Sequence, residues 1–186
     1  MTSDKQARSG ESVSPTHTIN GQDIARDERI NLEDANLEGA HMEDAALAYA
    51  RLTRANLYCA ILDGSDLTGA SLNGAVLWDA CVRAANLTHA DLSHASLELA
   101  NLSRANLNHA RLVGAELIEA ILTDADLTDA DLTDADLSGA DLTGANLTRA
   151  NLTRANLSNA ILTGAVLSSA DLHYARLKKQ TNPISE

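Results

Sequence analysis

The side chains that could do chemistry are few, and their spacing fits no common reaction. Cys59 and Cys81 are too far apart in sequence for the CxxC arrangement of redox proteins. Gly64, Gly69 and Gly74 follow a five-residue spacing, whereas a phosphate-binding loop needs the spacing GxGxxG. Serine, histidine and aspartate are all present, but catalysis also needs a pocket that excludes water. We therefore expect no catalytic residue and no cofactor, and predict that the protein is not an enzyme.

One stretch of the chain is rich in carboxylates. An acidic belt of nine side chains, with no lysine or arginine among them, comprises Glu116, Glu119, Asp124, Asp126, Asp129, Asp131, Asp134, Asp136 and Asp141. Such a belt could imitate the phosphates of DNA before a DNA-binding protein. Alternatively, aspartate is simply a frequent occupant of these positions, and solubility is the by-product. Tight binding of a divalent cation is not expected, because no loop brings about six oxygens to one point.

Charge and composition exclude several classes of function. The chain has 186 residues, with 26 acidic and 14 basic side chains and a formal net charge of −12. This balance argues against direct binding to nucleic acid or to an anionic membrane. No apolar stretch is long enough for a transmembrane helix, and residues 1–14 lack the apolar segment of a secretory signal. With only two cysteines, we expect a cytoplasmic protein.

A five-residue repeat organises most of the sequence. From Ile30 to Lys179 there are 30 units without an insertion, with Ala at the first place in 28 units and Leu at the third place in 28. The second place is often Asp or Asn, and the fourth is often Thr or Ser. With a period of five, the leucines would not stay on one side of a helix, and they would not stay on one side of a straight strand either. All can point inward if the chain is extended and turns a corner once per unit.

The glycines support a corner at the end of each unit, because Gly is favoured where the backbone turns tightly or takes a positive φ. Eight of the ten glycines occupy the fifth place. The number of sides stays open at this point. Apolar residues at the second place fit multiples of twenty (Ile61, Cys81, Ile121, Ile161) and multiples of fifteen (Ile61, Val76, Ile121, Val166) equally well.

Units such as Ala130-Asp131-Leu132-Thr133-Asp134 and Ala150-Asn151-Leu152-Thr153-Arg154 resemble the pentapeptide-repeat protein family. The resemblance implies an all-β fold, a right-handed quadrilateral β-helix (β-solenoid) of about 7.5 coils with four pentapeptides each. The predicted organisation is a disordered tail at 1–17, a cap segment at 18–29, the β-helix at 30–179 and a C-terminal tail at 180–186. A homodimer through the C-terminal end of the helix is a further expectation.

On a four-sided coil, residues twenty apart stack in columns. Tyr58, Trp78, Glu98 and Ile118 then form one outward column, beside Val76 and Leu99. We predict that Tyr58, Val76, Trp78, Leu99 and Ile118 form a partner-binding patch, since Trp and Tyr are typical anchors of protein interfaces. The alternative is a set of scattered surface hydrophobic residues.

A second column would stack His89 on His109, with His94 nearby in sequence. A zinc site needs three or four convergent ligands. Because only two histidines share the column, with no obvious carboxylate or cysteine beside them, we expect no metal site.

The sequence thus favours a non-enzymatic structural or protein-interaction module that binds an unidentified protein partner. The alternative, implied by resemblance to quinolone-resistance members of the family, is a DNA-mimicking protein that inhibits or protects DNA gyrase. Those members commonly carry Phe at the central place and have projecting loops, whereas this chain has no Phe and an unbroken repeat.

Overall fold

Residues 17–19, 22–24 and 30–177 are described by a computed structural model of the chain. Two short strands, β1 (His17–Ile19) and β2 (Gln22–Ile24), pair antiparallel, with His17 opposite Ile24. Of the predicted tail at 1–17 only His17 is described, and it lies in β1. The predictions for residues 1–16, for the rest of the cap segment at 18–29 and for the C-terminal tail at 180–186 lie outside the described residues. In the described ranges, no helix is long and apolar enough to cross a membrane.

The repeat region is held together by pairing between residues twenty apart. Each second-place residue forms a parallel bridge with its counterpart twenty residues later, from Asn31 with Arg51 to Asn156 with Arg176. A step of twenty is four units, so the coil has four sides over these residues, and a three-sided coil is excluded. We name the sides by their first units: face A begins at 30–34, face B at 35–39, face C at 40–44 and face D at 45–49.

Every corner is a β-turn. The N–H of a first-place residue donates to the carbonyl of the preceding third-place leucine, as from Ala110 to Leu107 at 3.0 Å. Every fifth-place residue from Asp34 to Tyr174 has a positive φ, and no fourth-place residue does. This combination is a type II turn, which explains why glycine is frequent at the fifth place. Where a side chain is present there, it is often Asp, Asn, His or Arg.

The backbone ladder between coils uses three more N–H groups of each unit. In the unit at 105–109, the N–H of Asn106 donates to the carbonyl of Ala85 in the preceding coil at 2.9 Å. Leu107 and His109 donate to the following coil, at 2.7 and 3.0 Å. Together with the turn bond, four of the five donors in a unit are paired through the backbone.

In units with Asp or Asn at the second place, a side chain pairs the fifth donor, the N–H of the fourth place. Wherever Asp or Asn occupies the second place, its Oδ1 can accept this N–H, as Asp126 does from Thr128 at 3.0 Å. The Thr128 hydroxyl donates to the same oxygen at 2.5 Å. The preference for Asp or Asn at one place and Thr or Ser two residues later therefore has a local cause.

The core is the stack of inward-pointing leucines and alanines. From Leu47 to Ala155 the third-place and first-place residues are almost wholly buried. Ser65 is a polar residue in this apolar core: it replaces the usual alanine and is 0% exposed. Its hydroxyl oxygen has no hydrogen-bond partner among the described residues. A buried hydroxyl without a partner lowers stability.

We expect Ser65→Ala to raise the free energy of unfolding by about 1 kcal/mol, because it removes an unpaired polar group from the core. Urea unfolding followed by circular dichroism measures the change. Ala85→Ser is the matched control: it puts a hydroxyl at the equivalent place one coil later, where the residue is also fully buried, and should lower stability. A loss of stability in Ser65→Ala would contradict this account.

Candidate partner-binding surface

The acidic belt does not form one surface. Its nine carboxylates are distributed over all four sides of the coil: Glu116, Glu119 and Asp136 on face B, Asp124 and Asp141 on face C, Asp126 and Asp129 on face D, and Asp131 and Asp134 on face A. A partner that approaches one face therefore meets only two or three of them.

Several belt carboxylates are also engaged within the chain. Those at the second place, such as Asp131 and Asp141, accept the N–H two residues later, at 3.1 and 2.9 Å. Asp129 and Asp134 each bind an arginine of the next coil, Arg149 and Arg154. These hydrogen bonds hold the pKa of Asp129 and of Asp134 below the usual range, because the guanidinium favours the charged carboxylate. A role for the belt in binding stays a prediction.

The predicted apolar patch lies wholly on face B. The rings of Tyr58 and Trp78 are neighbours, with centroids 5.4 Å apart and planes tilted by 46°. Trp78 is 46% exposed and Leu99 is 43% exposed, and Val76 and Ile118 are each 37% exposed. The five residues come from four successive coils. At ~4.8 Å between paired strands, the patch extends along the rod for about 14 Å.

Face B is also acidic and has no basic side chain over most of its length. Its carboxylates are those of Glu38, Asp79, Glu98, Glu116, Glu119 and Asp136. No lysine, arginine or histidine occupies this face from residue 35 to residue 159. All the ion pairs among the described residues lie on the other three faces, including Arg54 with Asp34 and Arg83 with Asp63. Between residues 35 and 159, the carboxylates of face B thus have no basic side chain of the same face as a partner.

Two carboxyls of this face interact directly. A hydrogen bond between the side chains of Glu98 and Glu116 raises the pKa of Glu116, and burial and the negative charges of Glu98 and Asp136 add to the effect. The hydroxyl of Ser96 donates to the carboxylate of Glu98. The centre of the face therefore concentrates negative charge beside Trp78 and Ile118.

At the edge of the patch, the thiol of Cys59 lies 3.7 Å from a carboxylate oxygen of Asp79. A hydrogen bond with the Cys59 side chain is the main cause that raises the pKa of the Tyr58 hydroxyl, followed by charge and burial. Tyr58 therefore presents a neutral phenol at neutral pH. Both cysteines, Cys59 and Cys81, are free thiols.

The histidine column is present as well. His89 and His109 stack at 5.0 Å with an interplanar angle of 11°, whereas His94 lies on face A. The expectation that no carboxylate shares their column was wrong: Asp129 is next in the series, with an oxygen 3.8 Å from Nε2 of His109. The same step of twenty residues would have found it. Within the described residues, no group of three His, Cys, Asp or Glu could hold a metal ion.

Face C carries an open depression where the small residues Gly64 and Ala84 replace longer side chains of the column. Charged side chains of both signs line it, among them the Asp63–Arg83 pair, whose closest N···O distance is 2.5 Å. The pairing holds the pKa of Asp63 below its usual range. The depression thus mixes charges of both signs and exposes few apolar side chains, so face B presents the stronger case for a binding surface.

The family model for pentapeptide repeats matches residues 28–64, 50–88, 83–117, 110–149 and 150–179, in eight copies. The chain belongs to the pentapeptide repeat family. Proteins of this family are right-handed β-helices, and the twenty-residue ladder of this pentapeptide repeat protein agrees with that fold. No curated protein matches the chain.

Several solved structures of pentapeptide repeat proteins are similar to this one. One is a trypsin-treated form of QnrB1, a plasmid-mediated fluoroquinolone resistance protein, with a TM-score of 0.53 and 23% identity. The alignment covers 83% of this chain and 86% of the QnrB1 chain. At that identity it shows the fold alone. HetL from the cyanobacterium Nostoc sp. strain PCC 7120, involved in heterocyst differentiation regulation, is 33% identical, with 80% and 78% coverage and a TM-score of 0.42.

A pentapeptide repeat protein from the Arabidopsis thaliana thylakoid lumen is 38% identical to this chain. The alignment covers 50% of this chain and 65% of the Arabidopsis protein, with a TM-score of 0.49. A common fold does not by itself assign a function.

The carboxyl pair on face B makes a pH-dependent prediction. The folded state holds the proton of Glu116 more tightly than the unfolded state does, so stability from this group is present at low pH and is lost as pH rises through its raised pKa. We expect Glu116→Gln to be more stable than the wild type at about pH 7, and the difference to shrink as the pH falls below that pKa.

Urea unfolding across a pH series measures this difference. Glu119→Gln, which removes one charge from the same unit, is the control for net charge. A difference between Glu116→Gln and the wild type that is equal at neutral and acidic pH would contradict the pairing of Glu98 with Glu116.

Proposed function

We propose that this pentapeptide repeat protein is a non-enzymatic interaction module, a rigid β-helical rod that binds a protein partner on face B. The observation that carries the proposal is the coincidence on one face of Trp78, Tyr58 and three exposed aliphatic side chains with carboxylates that form no ion pair among the described residues. Exposed apolar patches with aromatic anchors are typical of protein interfaces. Pentapeptide repeat proteins are in general structural or interaction proteins.

The proposed architecture is a right-handed rod of about 7.5 coils, from thirty units at four per coil. The proposed location is the cytoplasm, where free thiols such as Cys59 and Cys81 stay reduced. No cofactor and no direct contact with nucleic acid or membrane form part of the proposal.

The C-terminal end of the rod supports a homodimer as a further proposal. In the last described coil, the core residues Leu162, Leu167 and Leu172 are only partly buried, since no described coil covers them. A second copy stacked on this end would bury these leucines.

Site-specific photo-crosslinking tests the binding face. A photoreactive phenylalanine analogue replaces Trp78 on face B or Thr128 on face D, two fourth-place positions on opposite sides of the rod. In an extract of the source cells, we expect protein adducts from position 78 and not from position 128. Equal adducts from both positions, or none from position 78, would overturn the proposal.

The net charge of −12 favours a second candidate, a DNA-mimicking protein that inhibits or protects DNA gyrase. A gyrase supercoiling assay with increasing amounts of the protein, with and without a quinolone, tests it. Inhibition or protection at micromolar concentrations that is lost in the Asp126→Asn/Asp131→Asn/Asp136→Asn variant would support this candidate. No effect on supercoiling or on quinolone action would eliminate it.

A further inference from the structure

We propose that the partner segment recognised by face B is a cationic amphipathic α-helix. This inference rests on the proposed function of face B and names the chemistry of its partner. It requires that the face cannot accept a strand, that a helix fits the patch in size, and that the surrounding charge selects lysine or arginine.

The backbone of face B has no free row of ladder groups to which a strand could add. The N–H of Val76 donates to Ala55 of the preceding coil at 2.9 Å, and Asp79 donates to Glu98 of the following coil at 2.9 Å. The carbonyl of Val76 accepts from Leu57 at 2.7 Å. These ladder groups are therefore not free to pair with an added strand, and a partner on this face meets mainly side chains, as an amphipathic helix does in its binding site.

The patch coincides with a break in the local hydrogen-bond pattern. Asn56 and Asp136 cap their turns by accepting the N–H of Tyr58 and Ser138, at 3.1 and 2.9 Å. The three coils between them carry Val76, Ser96 and Glu116 at the second place, none of which is Asp or Asn. The usual row of Asp and Asn is thus interrupted by Val, Ser and Glu over the central part of the patch.

A short helix matches the patch in length and pitch. The patch extends about 14 Å along the rod, which corresponds to roughly nine or ten helical residues at 1.5 Å each. Successive coils are ~4.8 Å apart, close to the 5.4 Å pitch of an α-helix. Apolar side chains at successive turns of a helix parallel to the rod can therefore contact Trp78, Leu99 and Ile118 in turn.

The charge around the patch selects a cationic helix. Asp79, Glu98, Glu116 and Glu119 surround the exposed apolar side chains, and no basic residue of face B competes for them up to residue 159. The hydrogen bond with Glu98, burial and the negative charges of Glu98 and Asp136 together raise the pKa of Glu116. A lysine or arginine at the flank of a bound helix would relieve this repulsion, whereas an acidic helix would add to it.

Trp78 provides a direct readout, because it is the single tryptophan of the chain and lies at the centre of the patch. The probe is a synthetic amphipathic peptide of about fourteen leucine and lysine residues, long enough for roughly 21 Å of helix and free of aromatic residues. We expect a saturable blue shift of Trp78 emission with this peptide. An equally long leucine–glutamate helix and a Leu/Lys peptide of alternating D and L residues, which cannot form the helix, should bind at least about tenfold more weakly.

Matched variants locate the binding. Val76→Ser/Ile118→Ser removes apolar contacts, and Glu98→Gln/Glu119→Gln removes two charges from face B. We expect each pair to weaken binding about tenfold, a loss of about 1.4 kcal/mol. Asp66→Asn/Asp126→Asn removes the same charge from face D and keeps the side-chain oxygens that cap those turns, and should leave the affinity unchanged.

The proposal is overturned if the leucine–glutamate or the D,L peptide binds as well as the leucine–lysine helix. It is also overturned if the face D variant weakens binding as much as the face B charge variant, since binding would then follow net charge alone. Adducts from position 78 without binding of the cationic helix would leave the proposed function intact and refute only the chemistry of the partner. Binding of the helix without adducts would refute the proposed function instead.

Discussion

The structure depends on one register: the backbone of each residue pairs with residues about twenty positions away, in the coil before and the coil after. Four extended segments and four type II turns use the same number of residues in every coil, so the register of the backbone pairing stays constant. Leucine stacks on leucine and alanine on alanine, and the core needs no aromatic bulk. Each outward place likewise becomes a column, and the surface properties of a face follow from residues that are distant in sequence.

The corners show how the repeat meets two opposing demands. The fifth place must adopt a positive φ, which costs little for glycine and more for other residues. The outward N–H of the fourth place needs an acceptor, which Asp or Asn supplies from two residues before, as in the pair Asp131 and Thr133. The primary role of second-place Asp and Asn residues is therefore to accept a backbone hydrogen bond. Many of the aspartates that make the chain acidic are therefore explained by these hydrogen bonds to the turns. The carboxylates of face B that accept no fourth-place N–H are not explained in this way.

Much of the fold is predictable from the sequence because the period is visible in it. The five-residue unit, the corner at the fifth place and the buried leucines follow from pattern and elementary geometry, and the stacking of Tyr58 on Trp78 follows once the step of twenty is assumed. The number of sides does not follow, because Val76 and Ile121 fit a step of fifteen as well as Cys81 fits a step of twenty. The hydrogen bond between Glu98 and Glu116 could not be predicted, since it depends on side-chain conformations rather than on register. The absence of basic residues on face B from residue 35 to residue 159 was accessible to sequence reasoning, but only after sorting residues by face.

The fixed register also limits how such a protein can change its length. A deletion or duplication of one unit leaves the five-residue pattern intact, and the core can close again. Yet every residue beyond the change moves to the neighbouring side of the rod, so that Ile118 would no longer share a face with Trp78. Gain or loss of four units at once keeps each column whole. Rods of this type can therefore grow by entire coils without altering their recognition surfaces, whereas smaller changes in length exchange one surface for another while the fold is preserved.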